Sequence, residues 1–382
     1  MIFRAKHYQT EQMVDVHCNN GKIVSVEQAG NFVPDHQAAY IAPAFFDLQI
    51  NGAMGVAFSD INLDESGIRK VLSVCRLHGI SAICPTIITN AHDVLLHGFN
   101  TLRKACESDS GIDRAMPCFH LEGPYISSED GARGAHLKQH VRNPNFDEFK
   151  QYQAASGNRI KLLTLAPELP GAIDFIRKIN LEGVVVAIGH TAASPALIRE
   201  AITAGATLST HLGNGSHAMW PRHENYFWEQ LGCDSLSASI ITDGHHLPEA
   251  LIKTIVRVKP LEKQIITCDA SGLAGLPPGK YSMWNQEIEI LPSGKVVVPG
   301  TPFLAGSGSF TDDCVAHLIS LELVPRSQAI EMATNAPRRL LQLPESKIEV
   351  GNIANLILFD SSNTVPFRIN RVIIDGVPIE QN

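Results

Sequence analysis

Charged and aromatic side chains are scarce in this sequence. Only 18% of the 382 residues are charged and 6% are aromatic, whereas 44% are hydrophobic, and the formal net charge is −8. Nucleic acids and anionic membranes are bound through basic patches, and this chain has no long basic run. We therefore expect neither a nucleic-acid partner nor a membrane partner.

Long apolar runs and paired cysteines are also absent. No stretch is apolar over the ~20 residues that a membrane span requires, and the start, MIFRAKHYQTEQMVD, has no apolar signal-peptide core. The eight cysteines show no CxxC spacing, which argues against a zinc ribbon and disulfides and indicates reduced thiols in a cytoplasmic protein. Neither GxGxxG nor GxxxxGK[ST] occurs, so a phosphate-cradling nucleotide loop is not expected.

The two ends of the chain differ from its middle. Short strand-like segments occur at the start (IFRAKHY, QMVDVHC, GKIVSVEQ) and at the end (KIEVG, ANLILFD, RVIIDGVPIE). Between them, apolar strand-like segments alternate with helix-like ones, as expected for a parallel sheet buried on both faces. So many units predict a (β/α)₈ TIM-like barrel over residues 44–344. Residues 1–43 and 345–382 are expected to form a small β-sandwich domain.

Titratable residues follow the ends of several predicted strands. They are Asp47, Glu122, His190, His211, Asp243, His245, His246 and Asp269. Any one of them could cap a helix or form a hydrogen bond within the core, but capping alone does not explain the same feature on so many strands. The carboxyl ends of barrel strands lie on one face, where barrel enzymes place their chemistry. The pattern therefore predicts a site on that face.

One carboxylate and two imidazoles that converge from neighbouring strands suit a divalent transition metal. Zinc commonly takes such a ligand set and keeps one position for water. A bound metal lowers the pKa of that water to about 7, and a further aspartate could carry the proton to a leaving group. The residues thus predict a metal-dependent hydrolase.

At these residues the sequence resembles the N-acetylglucosamine-6-phosphate deacetylase family of the amidohydrolase superfamily. The resemblance covers nearly the whole chain and is carried by the segments IAPAFFDLQING, HLEGPYIS, RGAH, LAPE, GHT, THLGNG, DGHH, DASGLAG, LAGS, MATNAPRRLL and GNIANLILFD. The family fold is a (β/α)₈ barrel with a small β-sandwich from both termini. The resemblance implies removal of acetate from N-acetylglucosamine 6-phosphate, a small-molecule amino sugar, by a homodimer or dimer-based oligomer.

The resemblance also implies roles for single residues. Glu122, His190 and His211 are similar to the metal ligands of the family, and Asp269 to its catalytic acid/base. His136 is similar to the histidine that contacts the acetamido carbonyl. The substrate-binding residues implied by the family are Ala135, His136, Asn214, Gly215, Arg222, His246, Leu304, Ala305 and Gly306.

The first predicted barrel strand bears on the number of metal ions. Most amidohydrolases carry His-x-His at its end, whereas this chain has Gln49-Ile50-Asn51. Amide side chains are poor zinc ligands, so the resemblance implies one divalent ion per chain rather than two. Zinc is the expected metal, with iron, cobalt, nickel and manganese as alternatives.

One segment departs from the family pattern. Family members usually have Asn-Ala-Met after the second histidine, then Arg-Glu-Pro-Gly, whose arginine holds the phosphate, often across a dimer interface. This chain has NGSHAMWPRHENYFWEQLG, in which Arg222 is the nearest candidate and Glu-Pro-Gly is absent. A dimer-interface loop without a ligand role is the alternative. The substrate could therefore also be another N-acyl hexosamine phosphate or an unphosphorylated sugar, and a non-catalytic sugar-binding homologue is the remaining alternative.

Overall fold

The computed structural model describes residues 1–284, 286–362 and 364–380. Its strands are β1 (Ile2–His7), β2 (Met13–Asn19), β3 (Lys22–Gln28), β4 (His36–Pro43), β5 (Phe45–Ile50), β6 (Gly52–Ala53), β7 (Val56–Ala57), β8 (Ile80–Ile88), β9 (Phe119–Glu122), β10 (Ile160–Leu165), β11 (Val185–Ile188), β12 (Ala206–Ser209), β13 (Ser237–Ile240), β14 (Gln264–Ile266), β15 (Gly279–Met283), β16 (Gln286–Ile290), β17 (Val296–Val297), β18 (Leu356–Asp360), β19 (Arg368–Ile374) and β20 (Val377–Ile379). Its α-helices are α1 (Glu65–Leu77), α2 (His92–Ser108), α3 (Ser110–Ala115), α4 (Phe146–Ala155), α5 (Ala172–Leu181), α6 (Pro195–Ala204), α7 (Tyr226–Gly232), α8 (Glu249–Val258), α9 (Thr311–Ser320), α10 (Arg326–Met332) and α11 (Asn335–Leu340). Short 3₁₀ helices span Lys138–His140 and Leu261–Lys263. None of the helices described here combines the length and apolarity needed to cross a membrane.

Eight strands form a parallel sheet surrounded by helices. Their order is β14-β13-β12-β11-β10-β9-β8-β5, and every hydrogen-bonded pair is parallel. In chain order, the strands are followed by α1, α2, α4, α5, α6, α7, α8 and α9. Most strand residues are buried because helices cover the outer face and side chains fill the interior. The predicted (β/α)₈ TIM-like barrel is confirmed.

Asp47 joins the first and last barrel strands. Strands β5 and β14 approach each other where the backbone N–H of Asn51 donates to the backbone carbonyl of Ala270 at 2.9 Å. Asp47 is fully buried and accepts hydrogen bonds from the backbone N–H of Cys268 and the hydroxyls of Thr267 and Thr311. The expectation that Asp47 ends its strand is wrong, since it lies inside β5. Its oxygens are used to close the barrel.

Asp47→Asn should therefore weaken the fold. Asp47 also accepts a hydrogen bond from the backbone N–H of Gln49. Each of its two carboxylate oxygens therefore accepts two hydrogen bonds. An asparagine would turn an NH₂ group towards two donors. Hydrogen bonds to charged groups contribute roughly 1.5–3 kcal/mol each, so the free energy of unfolding should fall by about 3–6 kcal/mol.

Urea unfolding followed by circular dichroism measures this change. Asp174→Asn is the matched control, because Asp174 lies on the surface of α5 with its side chain 77% exposed. Its effect should stay within about 0.5 kcal/mol. An equally small effect of Asp47→Asn would show that Asp47 does not hold the barrel closed.

The two chain ends meet in a separate sheet. Its strand order is β20-β19-β18-β4-β1-β2-β3, so the N-terminal β4 pairs with the C-terminal β18. This confirms a small β domain built from both termini, whose seven strands form one continuous sheet. We propose domain boundaries of 1–43 and 345–382 for this unit and 44–344 for the barrel, because β4 ends at Pro43 and β5 begins at Phe45.

Residues 326–342 form two helices, α10 and α11, rather than one continuous helix. Pro337 has no N–H to donate to the carbonyl of Ala333, and proline is tolerated only in the first turn of a helix. The free carbonyl of Ala333 accepts from the amide of Phe46 at 3.0 Å instead. The break therefore ties the end of α10 to the first barrel strand.

A small antiparallel sheet, β15–β17, follows the last barrel strand and was not predicted. It packs on its own apolar cluster, formed by Leu273, Ile288, Ile290, Val296 and Ala305. Through this cluster, the sheet lies against the loop that carries Leu304–Gly306. That position brings the sheet to the mouth of the barrel.

Candidate active site

Four of the predicted strand-end residues converge at the carboxyl end of the barrel. Glu122 is the last residue of β9, His190 follows β11, His211 follows β12 and Asp269 follows β14. All four are buried. The barrel topology thus brings together residues that are far apart in sequence.

Three of these strand ends have strained backbone. The φ angles are +49° at His190, +31° at His211 and +52° at Asp269. Such left-handed conformations cost of order 1–3 kcal/mol at residues other than glycine and persist only where surrounding structure holds them. The backbone carbonyl of His190 accepts a hydrogen bond from the backbone N–H of Ser127, and that of Asp269 accepts one from the backbone N–H of Ser307, both at 2.9 Å. The strain is concentrated where side-chain direction matters for the site.

Glu122, His190 and His211 bring three ligand-type atoms to one point. Oε1 of Glu122 lies 3.0 Å from Nε2 of His211 and 3.3 Å from Nε2 of His190. The two imidazole nitrogens are 3.1 Å apart. Ligands of a tetrahedral zinc ion stand about 3.3–3.4 Å from one another, which follows from bonds of about 2.0–2.1 Å. The three atoms therefore fit a single divalent ion.

Hydrogen bonding and charge prepare these groups for a cation. Nδ1 of His190 faces the carbonyl of Ala132 at 3.1 Å, so Nδ1 carries the proton and Nε2 presents a lone pair. Burial alone would raise the pKa of Glu122, but the adjacent imidazoles of His190 and His211 bring it well below its ordinary value. The carboxylate is thus ionised and faces two imidazoles.

Asp269 lies beside this cluster and is held at one oxygen only. Its Oδ1 accepts from Nδ2 of Asn51 at 2.7 Å and from Nε2 of Gln49 at 3.0 Å. Gln49 also donates to Glu122 at 2.9 Å. Burial, and next the charge of Glu122, raise the pKa of Asp269 to about 7. A carboxyl group that titrates near neutrality suits general acid–base chemistry.

His136 adds a third imidazole at the edge of the cluster. Its ring meets that of His190 edge-on, with centroids 4.3 Å apart. A nitrogen of each ring and an oxygen of Glu122 all lie within 4.8 Å of one another. Burial lowers the pKa of His136 to about 3, and its Nδ1 has no hydrogen-bond partner among the described residues. A neutral imidazole with a free nitrogen is available to a ligand.

His120 is a supporting residue that the sequence analysis missed. It precedes Glu122 by two residues on β9, so both side chains point to the barrel interior. Its ring nitrogens lie 3.2 Å from the hydroxyl of Thr86 and 2.8 Å from that of Thr164, which contacts Thr210 at 2.8 Å. Burial lowers the pKa of His120 to about 4, so the ring is neutral. Period-two alternation from Glu122 was the signal that could have found it.

A cavity of about 370 Å³ opens above these groups. Most of the substrate-binding residues implied by the sequence line it, namely Ala135, His136, Asn214, Gly215, His246, Leu304, Ala305 and Gly306. A Cβ atom at Gly215 would lie 2.6 Å from Nδ1 of His190, so the close approach of this loop requires glycine. Lining residues that the sequence analysis missed include Trp220, Trp284, Lys295 and Phe303.

His246 is fixed by a hydrogen bond to a carboxylate. Its Nδ1 lies 2.8 Å from Oδ2 of Asp243, which also accepts from the hydroxyl of Ser307 at 2.8 Å. Burial alone would raise the pKa of Asp243, but the hydrogen bond from His246 brings it below its ordinary value. The carboxylate therefore orients the imidazole that lines the cavity.

Arg222 does not line the cavity. It lies on an exposed loop, where its carbonyl accepts a hydrogen bond from the indole of Trp228 at 3.3 Å. Within one chain the structure thus brings together every implied site residue except Arg222. A partner chain is the remaining route by which Arg222 could reach a site.

The chain is similar to known amino-sugar phosphate deacetylases. N-acetylglucosamine-6-phosphate deacetylase from Homo sapiens is 33% identical over 337 residues, covering 84% of this chain and 80% of that protein. N-acetylgalactosamine-6-phosphate deacetylase from Escherichia coli O157:H7 is 28% identical, covering 94% and 95%. A mutant N-acetyl-D-glucosamine-6-phosphate deacetylase from Mycobacterium smegmatis, solved with N-acetyl-D-glucosamine-6-phosphate, superposes with a TM-score of 0.89 at 25% identity, covering 99% and 98% of the two chains. No protein-family model matches the chain.

Proposed function

Because the chain belongs to the N-acetylglucosamine-6-phosphate deacetylase family of the amidohydrolase superfamily, we propose that it hydrolyses the acetamide of N-acetylglucosamine 6-phosphate. The products are glucosamine 6-phosphate and acetate, so the reaction belongs to amino-sugar catabolism. The observation that carries the proposal is the convergence of Glu122, His190 and His211 on one point, with Asp269 beside them.

Glu122, His190 and His211 would hold one divalent ion, for which zinc suits the ligand set best and iron, cobalt, nickel and manganese are alternatives. When bound, such an ion polarises the acetyl carbonyl and lowers the pKa of a coordinated water. Gln49 and Asn51 donate to the carboxylates, so they orient neighbouring groups rather than serve as ligands.

Asp269 would move the proton. Both amide donors bind its Oδ1, which leaves Oδ2 without a hydrogen bond among the described residues. Oδ2 would take a proton from the attacking water and return it to the departing amine nitrogen. The second proton of that water then passes from the new carboxyl group to the amine, so that acetate and an ammonium group result. A pKa of about 7 suits both directions of transfer.

His136 would hold the acetyl oxygen. Since burial keeps its ring neutral, one nitrogen carries a proton and can donate to the negative charge that develops on that oxygen. Asn214, Gly215, His246 and the Leu304–Gly306 loop would contact the sugar, because they line the cavity above the reacting groups.

The proposal also covers the cellular compartment and the oligomeric state of the enzyme. The cysteines are all free thiols, and seven of the eight are buried, which fits a reducing cytoplasm. A homodimer or dimer-based oligomer is proposed on the sequence resemblance. Size-exclusion chromatography with light scattering tests the oligomer directly.

Acetate release from a small panel of sugars tests the proposed function. N-acetylglucosamine 6-phosphate should give the highest kcat/KM, above N-acetylgalactosamine 6-phosphate and unphosphorylated N-acetylglucosamine. Acetate and free amine should appear in equal amounts. A higher kcat/KM for either other sugar would replace the named substrate, and no turnover of any of them would favour the non-catalytic alternative.

A further inference from the structure

The cavity carries opposite charges in two different parts. Glu122 and Asp269 lie at the barrel strands, where the reacting groups converge. Lys295 lines the cavity from the turn between β16 and β17, and within residues 1–284, 286–362 and 364–380 it is the one lysine or arginine that does so. A substrate with an anionic group at one end and an amide at the other matches this distribution.

The backbone of Lys295 is held firmly at this position. Its carbonyl accepts from the amide of Leu291 at 2.9 Å, which closes the turn. Beyond it, the amide of Ala305 donates to Val296 at 3.3 Å, so β17 lies along the loop that lines the substrate cavity. The apolar cluster beneath β16 and β17 adds to this support. The turn is therefore built onto the site rather than left free in solvent.

The turn also lies beside the residues already assigned to the sugar. A Cβ atom on Gly294, the residue before Lys295, would stand 3.9 Å from Nε2 of His245. His245 is the neighbour of His246, and both line the cavity. The ammonium of Lys295 can therefore reach the same end of the cavity as these imidazoles.

The ammonium of Lys295 is not committed to another group. Among the described residues it forms no ion pair, although its side chain is half-buried. By contrast, Lys280 on β15 of the same small sheet pairs with Glu287 at 3.0 Å. An unpaired cation on the wall of a substrate cavity is available to an anionic ligand.

We propose that Lys295 binds the 6-phosphate and sets the preference for phosphorylated substrate. This inference rests on the proposed function, since a phosphorylated sugar is its premise. The cation that holds the phosphate is then supplied by the chain that also holds the reacting groups. Arg222, on its exposed loop, is not needed for this contact.

The first test compares kcat/KM for N-acetylglucosamine 6-phosphate and N-acetylglucosamine. Lys295→Met keeps the length of the side chain and removes the charge. A hydrogen bond to a charged group contributes roughly 1.5–3 kcal/mol, which corresponds to a factor of about 10–150. We expect that loss for the phosphorylated sugar alone, mostly in KM because the contact is remote from the amide. Lys295→Arg should restore most of it.

Lys280→Met is the matched control, because Lys280 belongs to the same sheet but does not line the cavity. It should leave both substrates unchanged. Arg222→Ala tests the rival residue. If Arg222→Ala abolishes the preference for the phosphorylated sugar and Lys295→Met leaves it intact, the assignment of Lys295 is overturned.

Binding separates this inference from the proposed function. Glucosamine 6-phosphate and glucosamine lack the acetyl group, so calorimetric titration with them needs no turnover. Wild type should bind the phosphorylated amine more tightly, and Lys295→Met should lose that difference. If this occurs while wild type releases no acetate, the assignment of Lys295 stands and the proposed deacetylation fails. Equal binding of the two amines by wild type overturns Lys295 as the phosphate ligand, whatever the turnover.

Discussion

Asp269→Asn should lower kcat for acetate release by at least about 10²–10⁴-fold, the usual contribution of general acid–base catalysis. The asparagine oxygen can still accept from Asn51 and Gln49, so fold and metal content should be unchanged. Its NH₂ group, however, cannot accept the proton of the attacking water. Single-turnover and steady-state rates, with metal content measured on the same sample, test this expectation.

The exposed Asp174→Asn variant again serves as the control and should have the rate of wild type. A near-normal kcat in Asp269→Asn would mean that another residue moves the proton and that Asp269 is structural. Loss of the metal together with activity would also contradict the assignment, because Asp269 would then act by holding the ion.

Removal of one ligand should empty the metal site. Elemental analysis of the wild-type protein should give about one divalent ion per chain, and His190→Ala should hold almost none under the same purification. Mutation of a residue that hydrogen-bonds to a metal ligand typically lowers metal affinity or activity by about 10–100-fold. Loss of the ligand itself should therefore lower them further. Acetate release should fall with the metal, and chelation of wild type followed by readdition should remove and restore it.

His92→Ala is a suitable control for this experiment. His92 is partly exposed on α2 and bonds to the hydroxyl of Tyr152, outside the cavity. Its metal content should equal that of wild type. Two firmly bound ions in wild type, or unchanged occupancy in His190→Ala, would reject a single site made by Glu122, His190 and His211.

Much of the fold and of the candidate site could be predicted because their signals are local. Apolar strands alternating with helices indicate a parallel sheet whatever the rest of the chain does. The same alternation places residues after the strands on one face, so Glu122, His190, His211 and Asp269 could be grouped before any contact was visible. His120 could have been predicted in the same way, because it lies two residues before Glu122 on the same strand and therefore points to the same side.

The sequence by itself therefore determined the barrel and the face that carries the site, because short-range periodicity and strand ends suffice for these features, while the four residues at its centre were singled out by the family resemblance. Only the tertiary structure decided between residues with similar local patterns. Asp47 follows an apolar segment as Glu122 does, yet it bonds to Thr267, 220 positions away, and closes the barrel. Likewise, Lys295 rather than Arg222 lines the cavity, because the path of the small β15–β17 sheet depends on long-range packing that no local pattern records.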